Sequence, residues 1–482
     1  MAYLGEHLLP GIIGNISIWA SICLAGVSFV FYIFFGFKDK IALKRIADYS
    51  FFGHFISVSL AVIMLFIILL NHFYEYAYVW QYSSSSLSLT YLISSFWAGQ
   101  EGSFLLWLLL QAVFGVLILF GKSPDKYKTL AVISLSQIFL LILLISLNPF
   151  ELLRDTETNR SLDFFKDPAY LLSILDGNSL NPLLQNFWMA IHPPVLFIGY
   201  AITLIPFGLT LNLLVSKNKT LISYIRKWTI ASVLFLGLGL FLGGVWAYED
   251  LSFGGFWSWD PVENASLVPW LLLLASLHLL VVFRKHGIYM RAAMFAGLLP
   301  YIFVIYSSFL TRSGFLRDTS AHSFGGDGKA YMFLAFLTVF ILLAFIIFIK
   351  NLRKLESKII EEPSSKEFWL FIGSIVLIMS AFQIIFVTSI PVINQIFDTQ
   401  FLILNEREDF FNLWQGGFAA IAMVIMAVTY FLKNLKTKRT EFIVKFLVPF
   451  IPSLILTVIF SLYYENIKVL DILLLFSILL LL

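Results

Sequence analysis

The sequence predicts an all-α polytopic membrane protein, and three observations carry that prediction. Hydrophobic residues make up 60% of the 482 and charged residues only 13%, a balance outside that of ordinary soluble domains. Apolar runs of the ~20 residues needed to cross ~30 Å of hydrocarbon recur from end to end. Lys and Arg collect in every second loop between those runs. The spans must be helices, because lipid cannot hydrogen-bond open backbone groups and the strand signature of outer-membrane barrels is absent.

About thirteen spans are expected at that length. The first, 11–35, is long, lacks a small-residue cleavage site and has its basic residues after it, so it reads as a retained helix and not as a cleaved signal. Lys38, Lys40, Lys44 and Arg45 follow, marking a cytoplasmic turn into span 53–72. An outer loop with the low-complexity run Ser83–Ser86 leads to span 103–121. Lys122, Lys126 and Lys128 then turn the chain into span 129–148. The largest outer loop, about 149–186, is mostly polar, with room for a short helix but not for a domain that folds alone.

Spans 187–215 and 229–247 flank the basic turn with Lys217, Lys219, Arg226 and Lys227; spans 264–283 and 292–310 flank Arg284, Lys285 and Arg291. Spans 330–349 and 368–388 flank Lys350, Arg353, Lys354, Lys358 and Lys366. Spans 411–432 and 443–463 flank Lys433, Lys436, Lys438, Arg439 and Lys445, and 469–482 is the last apolar run. These six turns hold 24 of the 32 Lys and Arg, so the amino terminus is expected outside. Residues 1–482 therefore read as a single integral membrane domain with no separate soluble domain.

Several function classes drop out. The net charge of +3 is small and its placement is an insertion signal, which gives no nucleic-acid partner. The single Cys23, expected to be buried in the first helix, rules out internal disulfides and CxxC chemistry within this chain.

The outer face holds the chemistry. Residues 243–270 read GGVWAYEDLSFGGFWSWDPVENASLVPW: four Trp, two Phe, one Tyr and four carboxylates without a Lys or Arg. An interfacial aromatic belt accounts for about one or two such rings. Seven rings with Gly243, Gly244, Gly254 and Gly255 interleaved point to a surface shaped for a flat, partly apolar ligand. Its core is the tryptophan-rich segment 243–263, with Trp246, Phe253, Phe256, Trp257, Trp259 and Asp260 as the platform. Within it, Asp260-Pro261-Val262-Glu263 reads as a helix start, with Asp at N-cap, Pro at N1 and Glu at N3, so both acids are expected to cap and not to catalyse.

His192, in "MAIHPPVLF", precedes a proline and is expected to be extended, with its ring directed away from the helix body. His322, in "RDTSAHSFGGDG", lies in another outer loop. Two outer-face imidazoles flanking an aromatic platform suit the axial positions of a planar metal macrocycle, that is, haem. A solvated loop histidine is the plainer alternative for either one alone. Zinc is disfavoured, since no carboxylate or cysteine stands at ligand spacing from either. Arg312, directly after span 292–310, is the better anchor for haem propionates; Arg317 pairs as readily with Asp318. His278 lies inside span 264–283, fourteen residues beyond Asn264 and so ~21 Å down the helix. An ionisable group at that depth suggests a buried haem ligand, or a hydrogen bond to a neighbouring helix. His54 is the other histidine at a similar depth.

The segments "GGFWSWDPVENASLVPWL", "LNPLLQNFWMAIHPPVLFIGY", "FWAGQEGSFLLWLLL" and "FLTRSGFLRDTSAH" closely resemble the CcmF haem lyases of the cytochrome c maturation machinery. Matching blocks run in order from the first helix to about residue 435, and DPVENAS favours this branch over the related CcsA-type synthetases. The resemblance implies a bacterial inner-membrane protein, active on the periplasmic face, that takes haem b from a periplasmic haem chaperone and attaches it to the CxxCH cysteines of apocytochrome c. It implies thiol-reducing and other maturation subunits as partners, membrane lipid around the chain, and quinol as a further candidate partner. It makes His192 and His322 the outer axial ligands, the tryptophan-rich stretch the platform, and His278 a ligand of a buried b-type haem. No catalytic nucleophile is expected in this chain, and iron enters only through haem.

Two departures from the family stand out. Phe253 and Phe256 replace tryptophans, keeping the aromatic face and losing the indole N–H. No histidine follows His322, although the family places a second buried ligand near or beyond residue 482. Three alternatives stay open: an amino-terminal part of a split lyase, recruitment of His54, or no buried haem. Within the family, a lyase dedicated to one cytochrome, such as a nitrite reductase, is the runner-up. From other classes, a haem or solute transporter predicts a polar pathway and an inverted repeat, and a membrane scaffold predicts no chromophore.

Overall fold

The computed structural model describes residues 5–249, 255–316, 329–355, 362–401, 407–434, 436–464 and 467–482. In chain order its helices are α1 Leu8–Lys38, α2 Ile41–Leu70, the short α3 Ala77–Tyr82 and α4 Leu89–Ser94, α5 Gln100–Phe120, α6 Lys126–Leu147, α7 Phe187–Ser216 and α8 Leu221–Glu249. There follow α9 Pro261–His286, α10 Met290–Arg312, α11 Ala330–Leu352, α12 Lys366–Thr388, the short α13 Ile390–Phe397, α14 Arg407–Phe431, α15 Arg439–Tyr463 and α16 Val469–Leu481. Among the described residues, 12 helices are long and apolar enough to cross a membrane, and no strand ladder forms. The protein is an all-α polytopic membrane protein.

Every expected span up to 443–463 corresponds to one long helix. The last expected span, 469–482, corresponds to α16, which has 13 residues. Cys23 is not where the sequence suggests; it lies within α1 but is exposed. The inward side of α1 is instead marked by Ser17, Ser21, Ala25, Ser28 and Tyr32. In a membrane helix the lipid-facing side is as apolar as the packed side, so apolarity alone does not reveal which way a thiol points.

The chain divides into two compact units. The first comprises Met1–Tyr224, Leu234–Trp257 and Leu334–Phe336; the second comprises Ile225–Val233, Ser258–Phe333 and Leu337–Leu482.

In the first unit α1 packs on α2 and α6, and α5 packs on α2, α6 and α7. Three basic turns gather at one end. The Asn212 side-chain amide donates to the Asp125 carbonyl at 3.0 Å, the Tyr224 hydroxyl donates to the Lys122 carbonyl at 3.0 Å, and the rings of Phe35 and Tyr127 meet edge-on at 4.6 Å. The opposite end is a cap built from the loops around 71–99 and 148–186. Short 3₁₀ helices at Leu153–Asp155, Asp163–Lys166, Pro168–Ser173 and Pro182–Leu184 shape the second loop. Tyr76 and Leu152 form an isolated antiparallel bridge, with Leu153 N–H on the Glu75 carbonyl at 2.7 Å.

The start of α1 is tied into this cap. His7 Nδ1 lies 2.8 Å from the buried Glu75 carboxylate, and Glu6 accepts from Arg154 at 2.9 Å and from the Tyr170 hydroxyl at 2.8 Å. The Tyr76 hydroxyl donates to the His7 carbonyl at 2.7 Å and accepts from Gly11 N–H at 3.0 Å. Burial pushes that phenol up to about 12, so it remains a donor at neutral pH.

In the second unit α9 packs on α10 and α12, α12 on α14, and α16 on α14 and α15. At its basic end Arg291 donates to the Leu355 carbonyl at 3.2 Å, and the Tyr289 and Phe371 rings stack at 4.3 Å. At its other end Asn264 and Thr388 meet at 3.1 Å, and Tyr306 and Ser389 share a hydroxyl pair at 2.6 Å.

Candidate functional site

His192 is helical, not extended. It stands inside α7, which begins at Phe187 on an Asn186 cap whose side chain accepts from Trp188 N–H at 2.9 Å. Pro193 and Pro194 follow inside the same helix. Each removes the N–H that would have bonded the carbonyl four residues earlier, at Met189 and Ala190. The Trp97 indole N–H fills one of these gaps, donating to the Met189 carbonyl at 2.9 Å. This bond and the Asn186 cap offset the steric bias of a pre-proline residue against helix.

The imidazole is held from its other side by α8. His192 Nδ1 lies 2.8 Å from the Gly239 carbonyl. A carbonyl only accepts, so Nδ1 carries the proton and Nε2 is the ring's acceptor nitrogen. The two helices approach closely enough that side chains would collide. A Cβ on Gly243 would meet His192 Cε1 at 2.8 Å, and one on Gly199 would meet the Leu236 backbone at 2.8 Å. The Trp246 ring sits 5.9 Å from the His192 ring, tilted by 53°. Behind it lies an apolar cluster of Ala98, Leu180 and Met189, with Trp97, Tyr82 and Tyr91 packed against it. Phe256, 44% exposed, lies close to Gly244 and 6.0 Å from Phe241. His192, Trp246 and Phe256 thus share the first unit; Trp257 also belongs to it and is half-buried.

Trp259 and Asp260 belong to the second unit. Asp260 caps α9 as the sequence predicts: its carboxylate accepts from Val262 N–H at 2.8 Å, while Glu263 accepts from Asp260 N–H at 3.0 Å and from Ser258 N–H at 3.1 Å. Trp259, immediately before, has φ of 55°, a left-handed conformation rare for a bulky residue. Its strain is offset locally. Asn264 donates to its carbonyl at 3.0 Å, Asn412 accepts from its indole N–H at 2.8 Å, and its ring stacks on Phe411 at 5.2 Å.

Arg312 ends α10, half-buried. His322, Arg317 and Phe253 lie outside the described residues. His278 is in α9, and its Nδ1 is buried with no hydrogen-bond partner among the described residues. His54, in α2 of the first unit, is fully buried, with Nδ1 2.7 Å from the Ser21 hydroxyl. Sequence reasoning missed Trp97, Gly239, Asn264, Phe411 and Asn412. The double proline could have pointed to a donor for the freed carbonyls; nothing in the α14 sequence singles out Phe411 or Asn412.

Fold and site together define a multi-span membrane protein with a His–Trp site built on two helices. The family model that matches it, over residues 97–316, is described as cytochrome c assembly protein. The chain is similar to that family, and the relatives it matches are largely of the CcmF type. It is 31% identical over 392 residues to the cytochrome c-type biogenesis protein CcmF of Haemophilus influenzae, covering 80% of this chain and 58% of the relative. It is 32% identical over 342 residues to that of Escherichia coli, covering 68% of this chain and 50% of the relative. The cytochrome c-type biogenesis protein NrfE of Haemophilus influenzae is 35% identical over 279 residues, covering 56% of this chain and 41% of the relative. A solved structure titled cytochrome c heme lyase CcmF superposes with a TM-score of 0.75 at 22% identity, covering 97% of this chain and 69% of that one, and shows the shared fold. The chain spans about half the length of the curated relatives it matches.

Proposed function

We propose that this chain is a haem-handling component of a cytochrome c haem lyase, acting at the end of the helix bundle opposite the basic turns, on the periplasmic face of a bacterial inner membrane. The observation that carries this reading is His192. A ring whose Nδ1–H is fixed on a backbone carbonyl and whose Nε2 is the acceptor is arranged as iron-ligating imidazoles are. The donor set fits haem: an oriented imidazole, a glycine at 243 that makes room for its ring, and the Trp246 ring beside it.

Haem b, as substrate, supplies the vinyl groups to which the two CxxCH thiols add, each S–C bond forming as the thiol proton passes to the neighbouring carbon. The chain's own part is orientation. In the first unit His192 would hold the iron, with the aromatic faces of Trp246, Phe256 and Trp257 beside it; His322 as a second ligand, Phe253 and Trp259 as ring contacts and Arg312 as propionate anchor are proposed from the sequence alone. No side chain of this protein needs to make the bond. His278, with its orphaned buried nitrogen, is the residue proposed to ligate a resident b-type haem. Apocytochrome c, a periplasmic haem chaperone and thiol-reducing subunits are the proposed partners, with quinol as a proposed source of electrons.

The test is haem titration of purified protein, read by absorbance, for wild type, His192→Ala with His322→Ala, and His278→Ala. Expected is loss of one bis-imidazole spectrum in the double variant and of a separate b-type spectrum in His278→Ala. If wild type and both variants bind haem alike, none of the three histidines is a ligand and the reading fails.

A further inference from the structure

A second polar feature lies inside the first unit, away from His192. Along α1, Ser17, Ser21, Ser28 and Tyr32 are all buried and all on the side facing α2 and α6. At the basic end, Lys44 and Asp48 of α2 are partly exposed and 3.6 Å apart. The Tyr32 hydroxyl donates to Asp48 at 2.8 Å and is hydrogen-bonded to Ser28. Ser28 in turn meets Ser134 of α6 at 3.4 Å. One turn further along α6 stands Gln137, whose side chain lies within long hydrogen-bonding reach of the His54 ring. His54 closes the series through Nδ1, which lies 2.7 Å from the Ser21 hydroxyl and 3.2 Å from its carbonyl. From Tyr32 to Ser21 the column covers ~16 Å of helix, about half the hydrocarbon thickness.

The column alone is only a polar stripe. What gives it a ligand is the His54–Gln137 pair. Both residues are 0% exposed, yet His54 Nε2 and both the Nε2 and Oε1 atoms of Gln137 make no hydrogen bond of ordinary length among the described residues. Three orphaned polar atoms in one place, in a bundle otherwise packed with Leu, Phe and Val, are expensive unless a small molecule bridges them. The chemistry required is that of a molecule that both donates and accepts in two to four directions. Water does this, and polar cavities in protein interiors hold it for this reason.

We propose that His54 and Gln137 bind water inside the membrane, at the inner end of a hydrogen-bonded path that opens at Asp48 on the basic face and gives water, and through it protons, access to the middle of the bilayer. His54 is also the alternative ligand of a buried haem; no other residue of the path carries a haem role, and exchange at His54 tests the water site directly. Each group along it is both donor and acceptor, or is so through bridging water, so a proton can pass without any redox partner.

The test is hydrogen–deuterium exchange at the imidazole Cε1 carbon, read for each histidine by mass spectrometry on the full chain in lipid nanodiscs. With water at the site, His54 exchanges within about tenfold of His72 in the cap; a dry His54 stays protonated throughout. Gln137→Met keeps length and volume, and Ser28→Ala with Ser134→Ala removes two hydroxyls from the path. Either variant is expected to slow His54 at least about fivefold while His7 and His72, which serve as folding controls, are unchanged. A His54 that does not exchange in wild type, or that exchanges equally fast in both variants, overturns the proposal.

Discussion

Trp246 and Trp259 belong to one aromatic stretch, yet the fold holds them by different means. Trp246 rides on the last turns of α8, and its position follows from helix register and from the close approach of α7 at Gly243 and Gly199. Trp259 is placed by a single residue in a left-handed conformation, kept there by Asn264, Asn412 and the Phe411 ring. The first is rigid because a helix is rigid. The second is rigid only while its side-chain bonds persist, which is how strained backbone survives in folded proteins. The two halves of the aromatic stretch should therefore fail separately and under different insults.

The largest effect is expected from filling the helix contact. Gly243→Val places a Cβ 2.8 Å from His192 Cε1 and adds two methyls beyond it, forcing the ring off the Gly239 carbonyl. If His192 binds haem, affinity should fall by about tenfold or more, since ~1.4 kcal/mol suffices for each factor of ten. Trp259 should keep its environment, read as unchanged protection of the 258–264 amides; loss of that protection would break the comparison.

Next comes Asn264→Ala, which removes donors to the Trp259 carbonyl and the Thr388 hydroxyl. Losing partners to buried groups costs about 1–3 kcal/mol, so the second unit should unfold at lower denaturant concentration. The His192 side should be unaffected, with haem affinity within about twofold of wild type. An unaltered denaturation midpoint would show that the turn does not depend on Asn264.

The smallest effect is a pH dependence confined to the first unit's cap. The Asp176 carboxylate accepts from the Ser85 hydroxyl at 2.6 Å, Ser85 N–H at 2.8 Å, the Tyr74 hydroxyl at 2.7 Å and Gly177 N–H at 2.8 Å. Ser85 above all, then Tyr74, holds its carboxyl far below the ordinary 3.8. A depressed folded value means that its stabilisation is complete above the unfolded value and is lost as pH falls below it. Amide exchange around 83–86 and 176–179 should quicken below about pH 4 relative to the intrinsic rate, with the 258–264 amides unaffected. Asp176→Asn should show the faster cap exchange already at neutral pH.

Much of this molecule is legible from composition and pattern. Helix count and placement follow from apolar run length, and the capping of α9 by Asp260 and Glu263 follows from the spacing of four residues. His192 was legible as a histidine at a helix end but not as a helical one, because local proline rules do not know that Trp97, far away in sequence, will supply the missing donor. Cys23 shows the same limit at the lipid surface, where inside and outside are chemically alike.

Local chemistry thus settled where helices start, how long they run and which loops carry the aromatic and imidazole groups, since these depend on residues within a few positions of each other. Packing settled the rest. Which carbonyl receives the His192 proton, which side chain accepts from the Trp259 indole, and which buried serine meets His54 depend on contacts between residues 33 to 153 positions apart. Such contacts form only when whole helices meet, and no pattern within one segment encodes its partner across the bundle.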